Sequence, residues 1–352
     1  MCFYENINEY IFFIAKSTVY FHLSNSIIMH SYDYFADMIS TEVENLRFNR
    51  KPRELYEPVE YILSIGGKRL RPVVTLMTCE LFDGDIQKAI MPAIGMEMFH
   101  NFTLMHDDIM DKASSRRGKP TVHAKWDENR AILSGDAMLI LANQLMLKAD
   151  DDILREVMEL YNKSGLMVCD GQQYDMNFEA EFKITIDDYI QMIELKTAAL
   201  LASSSLLGAV IAKASPENKE LIDLFGFNLG ISFQIEDDIL DVYGDYNKFG
   251  KNIGGDILAN KKTFLLVKAM QTEDKELLNE LKSWTAHKDY EPKEKIQKVT
   301  EIFDKLEVKK HARESSKFYY LKSLSYLDKI KLPTEKKHPL SELANYLVNR
   351  QA

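Results

Sequence analysis

Two acidic stretches, DDIMD at Asp107–Asp111 and DDILD at Asp237–Asp241, constrain this chain more than any other feature. Each ends an apolar run, MEMFHNFTLMH before the first and FQIE before the second. On a helix, residues four apart share a face. Asp107 and Asp111 therefore point one way with Asp108 beside them, and His100 and Thr103 continue the same stripe. Gln234, Asp237 and Asp241 form the matching stripe on the second helix, with Asp238 adjacent. A single cluster is as well explained by a solvated helix end. Two clusters of the same spacing, each behind a core-like run, read as two halves of one site.

The rest of the chain favours helices. Of 352 residues, 15 are Gly and 9 are Pro, so breakers are scarce. Helix-period segments follow one another with short polar breaks, and no strand alternation persists over several segments. The predicted fold class is all-α: a single large helical bundle over 29–352 around a central apolar cavity. Helices are expected from near Pro92 to Asp111, over Asp187–Lys213 and over Pro216–Val242. Loops are expected over Lys112–His123 and Tyr243–Lys262. Residues 1–28 are expected to be an N-terminal extension outside the core, with Met29 a candidate start. Their apolar run is too short to span a bilayer, and Glu5 and Glu9 precede it where a signal peptide would be basic. Cys2, Cys79 and Cys169 are scattered without metal spacing, which fits a reduced, cytoplasmic protein. The net charge of -10 argues against nucleic acid as a partner.

Carboxylates this close repel unless a cation intervenes. Without thiolates or paired histidines nearby, a hard, oxygen-loving cation fits, and Mg²⁺ completed by phosphate oxygens fits best. An acidic chain that binds a metal-bound phosphate also needs concentrated bases, and it has them. GGKRLRP carries Lys68, Arg69 and Arg71 behind Gly66 and Gly67. SSRRGKP carries Arg116 and Arg117, ELKTA carries Lys196 and Thr197, and the late loop carries Lys251, Lys261 and Lys262. Each group alone reads as a solvated face. Together with the acids they suggest anion grips, since arginine forks onto phosphate and glycine lets the backbone approach it. The bases fall into two sets, which suggests two anionic substrates with only one of them metal-bound. No GxxxxGK[ST] loop for a nucleotide is present.

As an ordered set, GGKRLRP, DDIMD with RRGKP, KT, FQIEDDILD and NKKT resemble the trans-isoprenyl diphosphate synthases (polyprenyl synthetases), from about Asp33 to at least Thr263. The resemblance implies a Mg²⁺-dependent prenyltransferase that joins isopentenyl diphosphate to an allylic diphosphate. It implies three Mg²⁺, held by Asp107 and Asp111 with Asp108 in support, and by Asp237 with Asp238 and Asp241. Arg116, Lys196 and Lys251 would grip the allylic diphosphate. Gly67, Lys68, Arg71, His100 and Arg117 would hold isopentenyl diphosphate without metal. Thr197, Phe233 and Gln234 would flank the reacting carbons, Gln172 and Asp175 would lie near the metals, and Lys261 near a closing loop. Charge on the departing pyrophosphate would be stabilised, the allylic cation would form, and the double bond of isopentenyl diphosphate would attack it.

The resemblance also implies that bulky residues before the first cluster act as a floor for the growing chain. Phe102 lies about 7 Å down the helix from Asp107, with Thr103 beside it and Phe99 a turn below. One aromatic with a small neighbour resembles the pattern that gives C20, geranylgeranyl diphosphate, with C15 or C25 as alternatives. Family members are commonly homodimers, and stable membrane insertion is not expected. A class I terpene cyclase would share the fold and the first DDxxD, but it has no use for a second diphosphate pocket. A non-catalytic subunit of a heteromeric synthase would be expected to lack acids that are all present here.

Overall fold

The computed structural model describes residues 29–181, 183–244, 254–286 and 290–349. The predicted extension over 1–28 and the predicted diphosphate ligand Lys251 lie outside these residues. The chain begins with α1 (Tyr32–Asn45), α2 (Arg53–Ser64), α3 (Leu70–Leu81) and the long α4 (Ile86–Met110). A two-stranded hairpin, β1 (Ser115–Arg116) and β2 (Lys119–Pro120), precedes the short α5 (Val122–Lys125). Then come α6 (Glu128–Met146), α7 (Leu154–Ala180) and α8 (Ile186–Ile211), the last interrupted by a π-helical turn at Glu194–Ala198. The second long central helix, α9 (Pro216–Tyr243), is followed by α10 (Gly255–Leu258), α11 (Phe264–Met270), α12 (Lys275–Ala286), α13 (Pro292–Lys305), α14 (Val308–Lys329) and α15 (Thr334–Val348).

Packing, more than local propensity, holds these helices in place. In α1, Phe35, Ile39 and Val43 recur every four residues and are buried. Burying each contributes roughly 1.5–3 kcal/mol, whereas the Ser31 side chain capping Tyr34 N is worth about 1 kcal/mol. The three side chains together outweigh the cap. The central helices α4, α8 and α9 are apolar around most of their circumference, because neighbours cover them on several sides: α3 and α6 beside α4, α14 and α8 beside α9. By length and composition α8 would pass as a membrane span, yet 72% of its apolar window is buried inside the bundle. Helix α3 crosses α8 at backbone contact, since a Cβ on Gly208 would sit 2.2 Å from Thr75 O.

Three sequence expectations are corrected in detail. The helix expected from Pro92 begins at Ile86, because the Asp85 side chain accepts from Gln87 N and the helix runs through Pro92. The loop expected over Lys112–His123 contains the β1–β2 hairpin and the start of α5. Its turn residues, Arg117 and Gly118, have φ of 52° and 72°, the paired left-handed geometry that closes a two-residue hairpin. The expected late loop contains α10.

Candidate active site

Both acidic clusters open onto one cavity of about 910 Å³ in the middle of the bundle. From α4 the cavity receives His100, Phe102, Thr103, Asp107 and, at its C-cap, Asp111. From α9 it receives Phe233, Gln234, Asp237, Asp238 and Asp241. The turn before α3 contributes Gly67, Lys68 and Arg71, and the hairpin contributes Arg116 and Arg117. Gln172 and Asp175 of α7, Lys196 and Thr197 of the π turn, and Lys261 and Lys262 complete the wall. Residues from Gly67 to Thr263 thus converge on one space.

The first cluster is covered by cations. Asp108 is buried and takes a forked contact from Arg116, with Nε at 2.9 and 3.0 Å and Nη2 at 2.8 Å. It therefore anchors the hairpin and does not line the cavity. Lys196 Nζ lies 2.6 Å from Asp175 Oδ2 and 3.7 Å from Asp107 Oδ2. Lys261 Nζ reaches Asp111 Oδ2 at 3.0 Å. Burial raises the Asp107 carboxyl above its ordinary range, against the opposing pull of Lys196. Burial lowers Lys261, but Asp111 and Asp256 outweigh it and the ammonium ends above its ordinary value.

Neutral donors organise the second cluster. Asp238 is almost fully buried, and it accepts from Tyr189 Oη at 2.7 Å, Phe264 N at 2.8 Å and Gln234 Nε2 at 2.9 Å. Burial pushes its carboxyl up to about 7, with Asp256 adding to the rise and the three hydrogen bonds opposing it. Gln234 in turn accepts from the Thr197 hydroxyl at 3.1 Å. Asp241 accepts from Asp256 N at 3.0 Å and so ties the end of α9 to α10. Among the described residues, no group of three or more His, Cys, Asp or Glu side chains is gathered tightly enough to enclose a metal by itself. The carboxylates are divided between two helices.

Lys196 and Thr197 owe their position to the π turn. Glycines on both sides let the turn approach: a Cβ on Gly171 would lie 2.3 Å from Lys196 N, and one on Gly230 would lie 2.6 Å from Ala198 Cα. An inserted residue of this kind is a common feature of functional sites. It re-aims side chains that an unbroken α-helix would turn elsewhere.

A second basic corner lies at the turn before α3. Arg69, one of the bases of GGKRLRP, borders the cavity, but its guanidinium is engaged within the protein. It is buried, adopts φ of 50°, and donates to Glu97 Oε1 at 2.7 Å and Leu63 O at 2.6 Å. That ion pair locks the turn onto α4. Gly67 has φ of 145°, and a Cβ there would meet the Arg117 guanidinium at 2.4 Å, so the hairpin arginine packs against bare backbone. Arg71 Nη1 lies 3.0 Å from His100 Nε2. Guanidinium only donates, so Nε2 accepts and the imidazole is neutral. Desolvation, reinforced by Arg71, Arg117, Arg116 and Arg69, holds His100 well below its ordinary value. Arg71 Nε is buried without a partner among the described residues, and burial lowers Arg71 to about 10. This corner concentrates positive charge, as an anion pocket needs to.

Deeper in the cavity, Phe102 and Thr103 line the wall below the first cluster. Phe99 does not line it. Phe99 is 3% exposed and packs against Tyr161, behind Phe102. Tyr189, Glu97, Asp256 and Lys295 carry no signal in the motifs. Lys295 is fully buried and donates to Asn260 Oδ1 at 2.7 Å, which pins the turn that leads into Lys261. A charged residue at a core-facing helix position was the one available sign, at Glu97 and Lys295.

Residues 52–303 match the profile of the polyprenyl synthetase family. The chain is 40% identical over 251 residues to the short chain isoprenyl diphosphate synthase of Methanocaldococcus jannaschii, covering 70% of this chain and 76% of that protein. It is 38% identical over 282 residues to the geranylgeranyl diphosphate synthase of Saccharolobus solfataricus, covering 77% and 83%. A crystal structure of a geranylgeranyl pyrophosphate synthase superposes with a TM-score of 0.87 at 39% identity, over 92% of this chain and 100% of that one. The helical bundle and its acid-lined cavity are thus those of an isoprenoid synthase. The chain belongs to the polyprenyl synthetase family, and it is a prenyltransferase.

Proposed function

We propose that the enzyme condenses isopentenyl diphosphate with allylic diphosphates of C5 to C15 and releases C20 geranylgeranyl diphosphate. The observation that carries this reading is the opposition of Asp107 and Asp111 to Asp237 across one cavity that also has a separate arginine corner. The donor set fits Mg²⁺: it is all oxygen, divided between two helices, and too open to bind a metal without further ligands, which is how Mg²⁺ is held when phosphate completes its shell. Three such ions would be held by Asp107 and Asp111 on one side and Asp237 on the other. Asp108, Asp238 and Asp241 act as supports, because Arg116, Tyr189 and Asp256 N occupy them. When bound, the metal supplies positive charge to the departing pyrophosphate.

The chain's own residues do the rest. Lys196 and Lys261 neutralise Asp107 and Asp111, and each ammonium would turn to the diphosphate once it leaves its carboxylate. Arg116 stays forked to Asp108 through Nε and Nη2, a contact that does not use Nη1. Lys68, Arg71, His100 and Arg117 offer donors and positive charge to isopentenyl diphosphate, which aligns its double bond with the allylic carbon. Phe233, Thr197 and Gln234 wall the space between and exclude water from the cation formed there. Phe102 lines the wall below the first cluster, and its role as the floor that stops growth at C20 is part of this proposal.

Two copies are proposed to pair through α6 and α7: Leu133, Ile140 and, at the C-cap, Leu147 recur every seven residues at 59%, 59% and 53% exposure, and Leu166 of α7 is 68% exposed. Light scattering of the purified protein reads a dimer or a monomer directly. The free Cys79 and Cys169 accord with work in the cytoplasm. The test of function is incubation with Mg²⁺, labelled isopentenyl diphosphate and, separately, C5, C10 and C15 primers. One dominant C20 product, lost with EDTA, is expected. No elongation from a folded protein would overturn the reading, and a product of another length would overturn the C20 assignment alone.

A further inference from the structure

Phe102 does not stand alone at the base of the cavity. Its ring is edge-on to His106 at 4.8 Å between centroids and tilted against Phe99 at 5.6 Å. Phe99 is itself backed by Tyr161 at 5.5 Å. Support from α7 below is therefore solid aromatic packing. On its other side the ring meets His106, which also lines the cavity.

His106 is fixed by α6. Its Nε2 lies 3.1 Å from Ile132 O, and since a carbonyl only accepts, Nε2 carries the hydrogen. The ring sits so close to α6 that a Cβ on Gly135 would lie 2.2 Å from Nε2 and 2.6 Å from Cδ2. Glycine weakens a helix interior, and at 135 the space it leaves is filled by the imidazole. The result is a slot with one backbone hydrogen bond and one bare wall, which holds the ring against Phe102. An aromatic side chain at a cavity wall keeps one rotamer only while its neighbours forbid the others. Of those neighbours, His106 is the one a single small substitution removes.

We infer that His106 is a positioning residue for chain length: seated in the Gly135 slot, it props Phe102 across the cavity and so limits how many C5 units are added. This rests on the reading of the cavity as the holder of a growing prenyl chain. Atoms at the reacting carbons are not involved, so the role is visible in which product forms and not in whether one forms.

The test is the product spectrum of the full-length enzyme and of four variants: His106→Ala, His106→Phe, Phe102→Ala and the Phe102→Ala/His106→Ala double. His106→Ala is expected to raise the ratio of products longer than the wild-type one on the order of tenfold. His106→Phe keeps an aromatic prop and is expected to restore the wild-type ratio. The double variant is expected to match Phe102→Ala, because the prop acts through the residue it supports. An unchanged spectrum in His106→Ala overturns the inference. So does a double variant that makes still longer chains than Phe102→Ala, which would make His106 a wall in its own right. Ratios are read per molecule of product, so a slow variant still answers. If His106→Ala makes none, His106→Asn is measured instead, and silence from both would place His106 in the metal machinery and end the proposal. If Phe102→Ala alone leaves the spectrum unchanged, the floor reading fails and the prop, which acts only through Phe102, is overturned with it.

Discussion

The two acidic clusters differ by one residue in sequence, DDIMD against DDILD, yet they are prepared in opposite ways. Every acid of the first is met by a cation: Asp107 by Lys196, Asp108 by Arg116 and Asp111 by Lys261. The central acid of the second is met by a phenol, an amide side chain and a backbone N–H. The lysines on Asp107 and Asp111 can be exchanged for other cations when substrate enters, while the Arg116 fork on Asp108 stays in place. A buried triad of neutral donors cannot be exchanged, and it fixes α9 against α8 and α11 whether substrate is present or not. The same five-letter pattern thus places exchangeable lysines on Asp107 and Asp111 of the first cluster and a fixed set of neutral donors on Asp238 of the second.

That difference can be broken by mutation. Asp107→Ala removes an acid facing the cavity, and turnover is expected to fall on the order of 10³-fold with the denaturation midpoint nearly unchanged. Asp238→Ala leaves Tyr189, Gln234 and Phe264 N without a buried acceptor, and an unfolding titration is expected to show a loss of about 3 kcal/mol. Equal stability in both variants would erase the contrast. Lys261→Gln is expected to raise the KM for the allylic primer roughly tenfold, with little change in the KM for isopentenyl diphosphate. A rise in both would mean that Lys261 serves both pockets. Phe102→Ala is expected to lengthen the product by at least one C5 unit, read by chromatography of the dephosphorylated alcohols.

The smallest effect concerns the arginine corner, which resembles the second cluster in being preset. His100 is held neutral in the folded protein but titrates near 6.5 when unfolded. Below that pH the unfolded chain binds a proton that the folded chain refuses. Stability contributed by His100 is therefore full above 6.5 and declines as pH falls, by up to about 1.4 kcal/mol per pH unit. Denaturation of wild type and His100→Asn between pH 7 and 5 checks this: the variant's profile is expected to be flatter.

Much of the site is legible in the chain because its residues sit in short, ordered motifs. Four-residue spacing alone puts Asp107 with Asp111 on one helix face and Asp237 with Asp241 on another. The grouping of bases into two sets anticipates the arginine corner around Arg71, His100 and Arg117. Arg69 shows where such reading stops: it shares a motif with Arg71, yet a positive φ turns it inward onto Glu97. Phe99 shows the same limit one helical turn from Phe102, since which aromatic meets the cavity depends on the neighbouring Tyr161. The π turn at Glu194–Ala198 leaves no trace in the periodicity, because one inserted residue shifts the pattern less than a helical apolar run can report.

The class of fold, the chemistry of the acids and bases, and the helix face that carries each of them are legible in the chain, because helical period is a local property. Only the packed fold settles that Asp108 turns away from the cavity onto Arg116, that Asp238 is tied to Tyr189, that Arg69 pairs with Glu97, and that Gly135 leaves a slot for His106. Those outcomes depend on close approach between segments far apart in the chain, and close approach is set by packing that no local pattern encodes.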